Sequence, residues 1–168
     1  MTMAISSIRL EEQEGFSLLA KRKQENDSTI LADISQFAEE NGPYIVTDEL
    51  YHVVIHDLEE GLRDYYAVRI KHDLPEKPEE MEVLDVPSFT YFVAEHQADT
   101  PVEESYDHLQ KHMETTKYRP YITAQSPLSD PFPLKIEILQ KDGKIYTETS
   151  KRDILIPVQK SLYNEEIE

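Results

Sequence analysis

The sequence predicts an α+β fold of two pseudo-symmetric strand-helix-strand-strand repeats, forming an antiparallel sheet with a central groove. Three observations carry that expectation. Phe16-Ser17-Leu18-Leu19-Ala20 precedes a helical pattern in the first half, and Phe89-Thr90-Tyr91-Phe92-Val93 precedes another in the second. Each helix is followed by nearly the same string, Pro43-Tyr44-Ile45-Val46-Thr47 and Pro120-Tyr121-Ile122-Thr123. Two alternating segments then complete each half, and alternation with period two marks strands with one covered face. At 168 residues the chain suits one domain, because each half alone is too small to bury a good core. Repeat one is expected over about 8–73, a connector over about 74–81, repeat two over about 82–160, and a frayed tail beyond.

The elements follow in order. Ile8 and Leu10 suit a strand at a sheet edge, and Phe16 to Lys23 a second strand ending in the basic Lys21-Arg22-Lys23. Asp27 or Ser28 can cap a helix, since a short side-chain oxygen accepts from the free amides of a first turn. Ile30, Ile34 and Phe37, flanked by Leu31 and Ala38, recur at helical spacing. Asn41-Gly42-Pro43 should stop that helix, with Gly42 suited to a left-handed position. Leu50 to His56 and Tyr65 to Lys71 alternate as antiparallel strands around Glu59-Glu60-Gly61. Leu74-Pro75-Glu76-Lys77-Pro78 connects the halves, and Val86 to His96 reads as one strand with Pro87 at its start. Thr100, Pro101 and Glu103 spell a capping box ahead of a buried stripe of Val102, Tyr106, Leu109 and Met113. Leu134 to Leu139 and Ile154 to Val158 are the closing strands, with a turn at Lys141-Asp142-Gly143-Lys144.

Charge excludes several functions. The formal net charge is −17, and such a field repels nucleic acid phosphates and anionic lipid surfaces. It favours cationic ligands or a basic protein partner, although acidity also serves plain solubility. There is no cysteine, so disulfides, thiolate metal sites and cysteine nucleophiles are excluded. No apolar run is long enough to span a bilayer, and Met1-Thr2-Met3-Ala4-Ile5 lacks the features of a secretory signal. A cytoplasmic protein without cofactor or metal is the expectation.

Glu137 stands out among candidate site residues. In Leu134-Lys135-Ile136-Glu137-Ile138 the aliphatic side chains take one face and Lys135 and Glu137 the other. If helices cover the aliphatic face, Glu137 looks into the concave side, near Phe89, Tyr91, Tyr106, Tyr118, Tyr121 and Tyr51. A carboxylate within aromatic walls suits a lipophilic cation. The plainer alternative is a solvated strand residue paired with Lys135. His52 and His56 share one strand face about 13 Å apart, too far for one metal but placed to line the groove opposite Glu137. His108 and His112 lie one helical turn apart with Glu104 a turn earlier, a chelating spacing more simply explained as a solvated face. The chain has only four glycines and no Ser in a glycine-flanked elbow, so nucleophilic catalysis finds no support.

Residues 82–96, the helix after Thr100, Pro133-Leu134-Lys135-Ile136-Glu137-Ile138 and Asp153-Ile154-Leu155-Ile156-Pro157-Val158 resemble the GyrI-like, or AraC effector-binding, domain family. That resemblance implies two strand-helix-strand-strand repeats around a groove that binds drugs or other small molecules. It also implies a cation-facing glutamate at the position of Glu137, although the aromatic residue often found two places later is here Leu139. No helix-turn-helix segment accompanies the repeats, so regulation of transcription by this chain alone is not expected. Non-catalytic binding of a small hydrophobic ligand, cationic or neutral, is the leading expectation. An acidic inhibitor or immunity-type protein and a hydrolase using Glu137 are the alternatives.

Overall fold

Nine strands and two helices make up the described residues of this computed structural model, which are 5–24, 29–71, 76–140 and 150–160. The caps Asp27 and Ser28, part of the connector, the 141–144 turn and the tail from 161 lie outside them. In chain order the elements are β1 (Ile5–Gln13), β2 (Phe16–Arg22), α1 (Ile30–Glu40), β3 (Ile45–Asp57), β4 (Gly61–Ile70) and β5 (Met81–Val86). They continue with β6 (Phe89–His96), α2 (Val102–Glu114), β7 (Tyr118–Pro120), β8 (Leu134–Leu139) and β9 (Arg152–Lys160).

The strands form one sheet in the order β1-β6-β9-β8-β3-β4-β2-β5, with β7 also on β9. Outward from the β8–β3 join the order is β8, β9, β6, β1 on one side and β3, β4, β2, β5 on the other, so the two repeats mirror each other. The outermost strands are exchanged between halves. β1 leads into β2 yet pairs with β6, while β5 leads into β6 yet pairs with β2. The two connectors pass so closely that the Gly15 amide donates to Ser88 Oγ at 3.0 Å. A Cβ on Gly15 would stand 2.8 Å from the Val86 carbonyl oxygen, so the crossing requires glycine.

Both faces of the sheet are covered, by different means. On one face α1 packs Ile30 and Ile34 onto Leu19, Leu50, Val68 and Leu139, and α2 packs Leu109 and Met113 onto Phe92, Ile154 and Ile156. The opposite face carries a core without helical residues, drawn from Phe16, Leu18, Tyr51, Val53, Val86, Tyr91, Ile136 and Leu155. Val86 of β5, at one end of the strand order, meets Tyr91 and Val93 of β6, next to the other end, in that cluster, so the sheet curls until its own strands cover this side.

Several local expectations are corrected. Pro87 does not begin a strand; β5 ends at Val86, β6 starts at Phe89, and Pro87-Ser88 is the crossing connector. The helix after Thr100 starts one residue later than a capping box requires, with Pro101 at the cap and no side-chain cap bond. The Thr100 hydroxyl is spent on the Gln97 carbonyl at 2.7 Å. Gly42 opens a 3-10 turn, Gly42–Tyr44, and the left-handed glycine is Gly61 (φ 75°) in the β3–β4 hairpin. The two Pro-Tyr-Ile strings occupy related, not identical, places. Ile45 lies opposite Ile70 of β4 and Pro120 opposite Val158 of β9, but only Ile45 leads straight into a central strand.

Candidate functional site

Alternation along β3 and β8 decides which side chains look toward the helices. Leu50 and Leu139 pair across the join and pack beneath α1. His52 and Glu137, two residues further along each strand, are also paired and share that helix-covered face. Ile136 goes to the opposite, helix-free core with Tyr51 and Tyr91. The sequence expectation for Glu137 is therefore reversed: it lies under the helices, not away from them. The curled inner face has only strands to fill it and takes the continuous aliphatic series, leaving the charged series to the helix side.

Glu137 is 3% exposed and is held by three elements besides its own. Arg152 of β9 donates through Nη1 to Oε1 at 2.7 Å. His52 of β3 approaches the same oxygen through Nδ1 at 3.1 Å. The Tyr106 hydroxyl, from α2, donates to Oε2. His52 Nε2 lies 2.6 Å from Asp64 Oδ1 on β4, and its ring stacks on Tyr66 with centroids 4.7 Å apart. Arg152 Nε donates to the Ser150 carbonyl at 3.0 Å. The cluster meets solvent through His52 and Asp64, whose side chains are 16% and 38% exposed.

An imidazole with a carboxylate oxygen at each nitrogen can satisfy both only as a double donor, the protonated form. Burial opposes that charge on His52, but the hydrogen bonds and charges of Asp64 and Glu137 overcome it and push the pKa up to about 9. Burial also opposes the Glu137 carboxylate, yet His52, Tyr106 and Arg152 bring its pKa down to about 2. Burial and the Glu137 charge keep Tyr106 a neutral donor, its pKa well above the ordinary phenol value. Two cations, Arg152 and His52, thus balance two carboxylates, Glu137 and Asp64.

Of the residues expected to form a site, the structure brings Glu137, His52 and Tyr106 together and leaves the others elsewhere. Tyr51, Phe89 and Tyr91 belong to the core on the opposite face. Tyr121 packs on Phe89 at 4.9 Å and Tyr118 edge-on against Phe92 at 5.8 Å. His56 turns to Asp130, 2.8 Å away. Lys135 does not pair with Glu137; its ammonium sits over the Tyr106 ring, 5.2 Å from the centroid. His108 is exposed on α2, and His112 packs edge-on against Phe92. Arg152 and Asp64 are additions that the sequence expectations do not include. The signal for Arg152 was its alternation with Ile154 and Ile156, which puts it on the helix-covered face.

Residues 9–158 match the profile of the Cass2 family, integron-associated effector-binding proteins of GyrI-like type, and the chain belongs to that family. No curated protein matches the sequence. Among solved structures it is similar to the EcmrR C-terminal domain, at 15% identity and TM-score 0.67, over 94% of this chain and 99% of that one. It is also similar to SAV2435, solved bound to tetraphenylphosphonium, at 15% identity and TM-score 0.55, over 91% and 94%. A hydrolase encoded by lin2189 from Listeria innocua aligns at 9% identity and TM-score 0.56, over 90% and 91%. These likenesses are of fold. Among the described residues no helix is long and apolar enough to cross a membrane.

Proposed function

We propose that this protein binds a small hydrophobic ligand without turning it over, on the helix-covered face of the β3–β8 join. It would act as a sensing or sequestering module, with the Glu137 cluster as the polar anchor. The observation that carries this reading is the cluster itself. A carboxylate at 3% exposure on the central strands gives less stability than aliphatic packing of the same volume. Its retention there is better explained by recognition. Membership of an effector-binding family and the tetraphenylphosphonium complex of SAV2435 support the same reading.

Hydrolysis is less well served. A general base needs a pKa near the working pH, whereas Glu137 is held down to about 2 by His52, Tyr106 and Arg152. Its Oε1 is already committed to two cationic donors.

Thermal-shift screening of lipophilic small molecules, neutral and cationic, tests the proposal, because a ligand that binds the native state raises apparent stability by mass action. At least one probe should raise the wild-type Tm with dose and lose most of that shift in Glu137→Gln and Tyr106→Phe. Equal shifts in all three proteins would dismiss the cluster as the anchor.

A further inference from the structure

We infer that Arg152 is a resident counter-ion that turns the site away from lipophilic cations and toward neutral hydrophobic ligands carrying one N–H or O–H donor. This deepens the proposal above and rests on it. A buried glutamate would by itself draw a cation, through ion pairing and the nearby Tyr106 ring. Here the ion-pairing position is filled from within the chain. Arg152 Nη1 is 2.7 Å from Glu137 Oε1, and both side chains are almost wholly buried.

Arg152 cannot readily make way. Its backbone is paired on both sides, opposite His96 in β6 and Leu139 in β8, and its Nε is tied to the Ser150 carbonyl. A ligand cation that took its place would pull the buried guanidinium off the Glu137 carboxylate, and breaking a buried pair on one side is strongly unfavourable. The surrounding charges reinforce the exclusion. His52 presents a second cation to the same oxygen, and Lys135 holds a third over the Tyr106 ring. Asp64 is already bound to His52. His96, a further titratable group beside Arg152 among the described residues, has its pKa lowered by burial and by the Arg152 charge and so stays neutral. The net charge of −17 resides mostly on exposed groups, whose pull on a cation is screened by salt.

What the cluster leaves open is an acceptor. A carboxylate offers roughly four lone-pair sites, and Glu137 uses three, for Arg152, His52 and Tyr106. The remaining site, on Oε2, takes a neutral donor without disturbing the charge balance.

The test uses two probes of nearly equal shape, triphenylmethanol and methyltriphenylphosphonium, titrated calorimetrically into the full chain. Wild type should bind the alcohol at least tenfold more tightly. Arg152→Gln should reverse that preference, and adding Glu137→Gln should abolish it. Arg152→Lys keeps the charge and should behave as wild type, which guards against a general folding defect in the glutamine variant. Wild-type preference for the phosphonium, or an unchanged preference in folded Arg152→Gln, overturns the inference while leaving the proposed function standing. Binding of neither probe by either protein overturns the inference, and a thermal-shift screen without any hit removes the proposed function as well.

Discussion

His52 and Glu137 face each other across the join between the two repeats, 3.1 Å apart, and each holds the other in its charged form. They are direct partners in the β3–β8 register, so the polar centre of the molecule coincides with its centre of pseudo-symmetry. The helices supply one further partner, Tyr106, and the flanking strands supply Asp64 and Arg152. The docking of α2 and the join between the repeats therefore share one hydrogen-bonded network, and removal of any member is felt by both.

That pairing gives stability a defined pH window. His52 titrates at about 9 in the folded protein against an ordinary 6.5, so its contribution is complete below 6.5 and is lost as pH rises through 9. Glu137 titrates at about 2 against 4.5, so its contribution is present above 4.5 and is lost as pH falls through 2. The groups facing His52 are Asp64, Glu137 and the stacked Tyr66, with Arg152 and Tyr106 beyond Glu137. Urea unfolding of wild type should lose about 2–3 kcal/mol more than His52→Gln between pH 7 and pH 10. Parallel curves for the two proteins would show that His52 is neutral in the native state.

Breaking the buried pair on one side should cost far more than replacing both partners. Glu137→Leu leaves Arg152 without its carboxylate and should destabilise by about 3–5 kcal/mol. Arg152→Met exposes Glu137 to the same loss, partly relieved by His52. The double variant should be more stable than the sum of the singles implies by at least about 1 kcal/mol, since residues in one network couple. Strict additivity in denaturant melts would mean that the two side chains do not interact in solution.

The fold was largely legible because alternation and helical spacing are local signals. Leu134-Lys135-Ile136-Glu137-Ile138-Leu139 spans β8 as its alternation predicts, and Glu137 is a charge inside that aliphatic strand. Its face was not legible. An alternating strand shows that two faces differ, not which one the helices take, and here the curled sheet buries both. Arg152 does not stand out as Glu137 does, because it lies between Lys151 and Asp153 at a strand end, where charges are usually solvated. The β1/β5 exchange could not be seen from local pattern either. β1 has its partner some eighty residues away, Ile8 opposite Ala94, and nothing within β1 names it.

The exchange crossing makes Gly15 sensitive for steric, not conformational, reasons. Its missing Cβ would stand 2.8 Å from a backbone carbonyl, and backbone cannot rotate away as a flexible side chain can. Gly15→Ala should destabilise by about 1–3 kcal/mol through displacement of the β5 end. Ser88→Ala loses only its hydrogen bond to the Gly15 amide and should cost about 0.5–1.5 kcal/mol. Thermal melts that rank Ser88→Ala as the worse variant would contradict the close packing of the two connectors.

Tyr91 offers a change in the opposite direction. Its side chain is 0% exposed in the helix-free core, and its hydroxyl has no hydrogen-bond partner among the described residues. Burial, with Tyr51 adding to it, pushes the phenol well above its ordinary pKa, so the group stays a neutral but unsatisfied dipole. Leaving such a group unpaired costs about 1–3 kcal/mol, and removing it recovers part of that cost. The ring itself packs against Phe89 at 5.8 Å, and phenylalanine keeps that contact with no change in shape. Tyr91→Phe should therefore raise stability by about 1 kcal/mol in denaturant melts. A loss of similar size would show instead that the hydroxyl holds a buried water or a bound molecule, because only a satisfied hydroxyl is missed when it is removed.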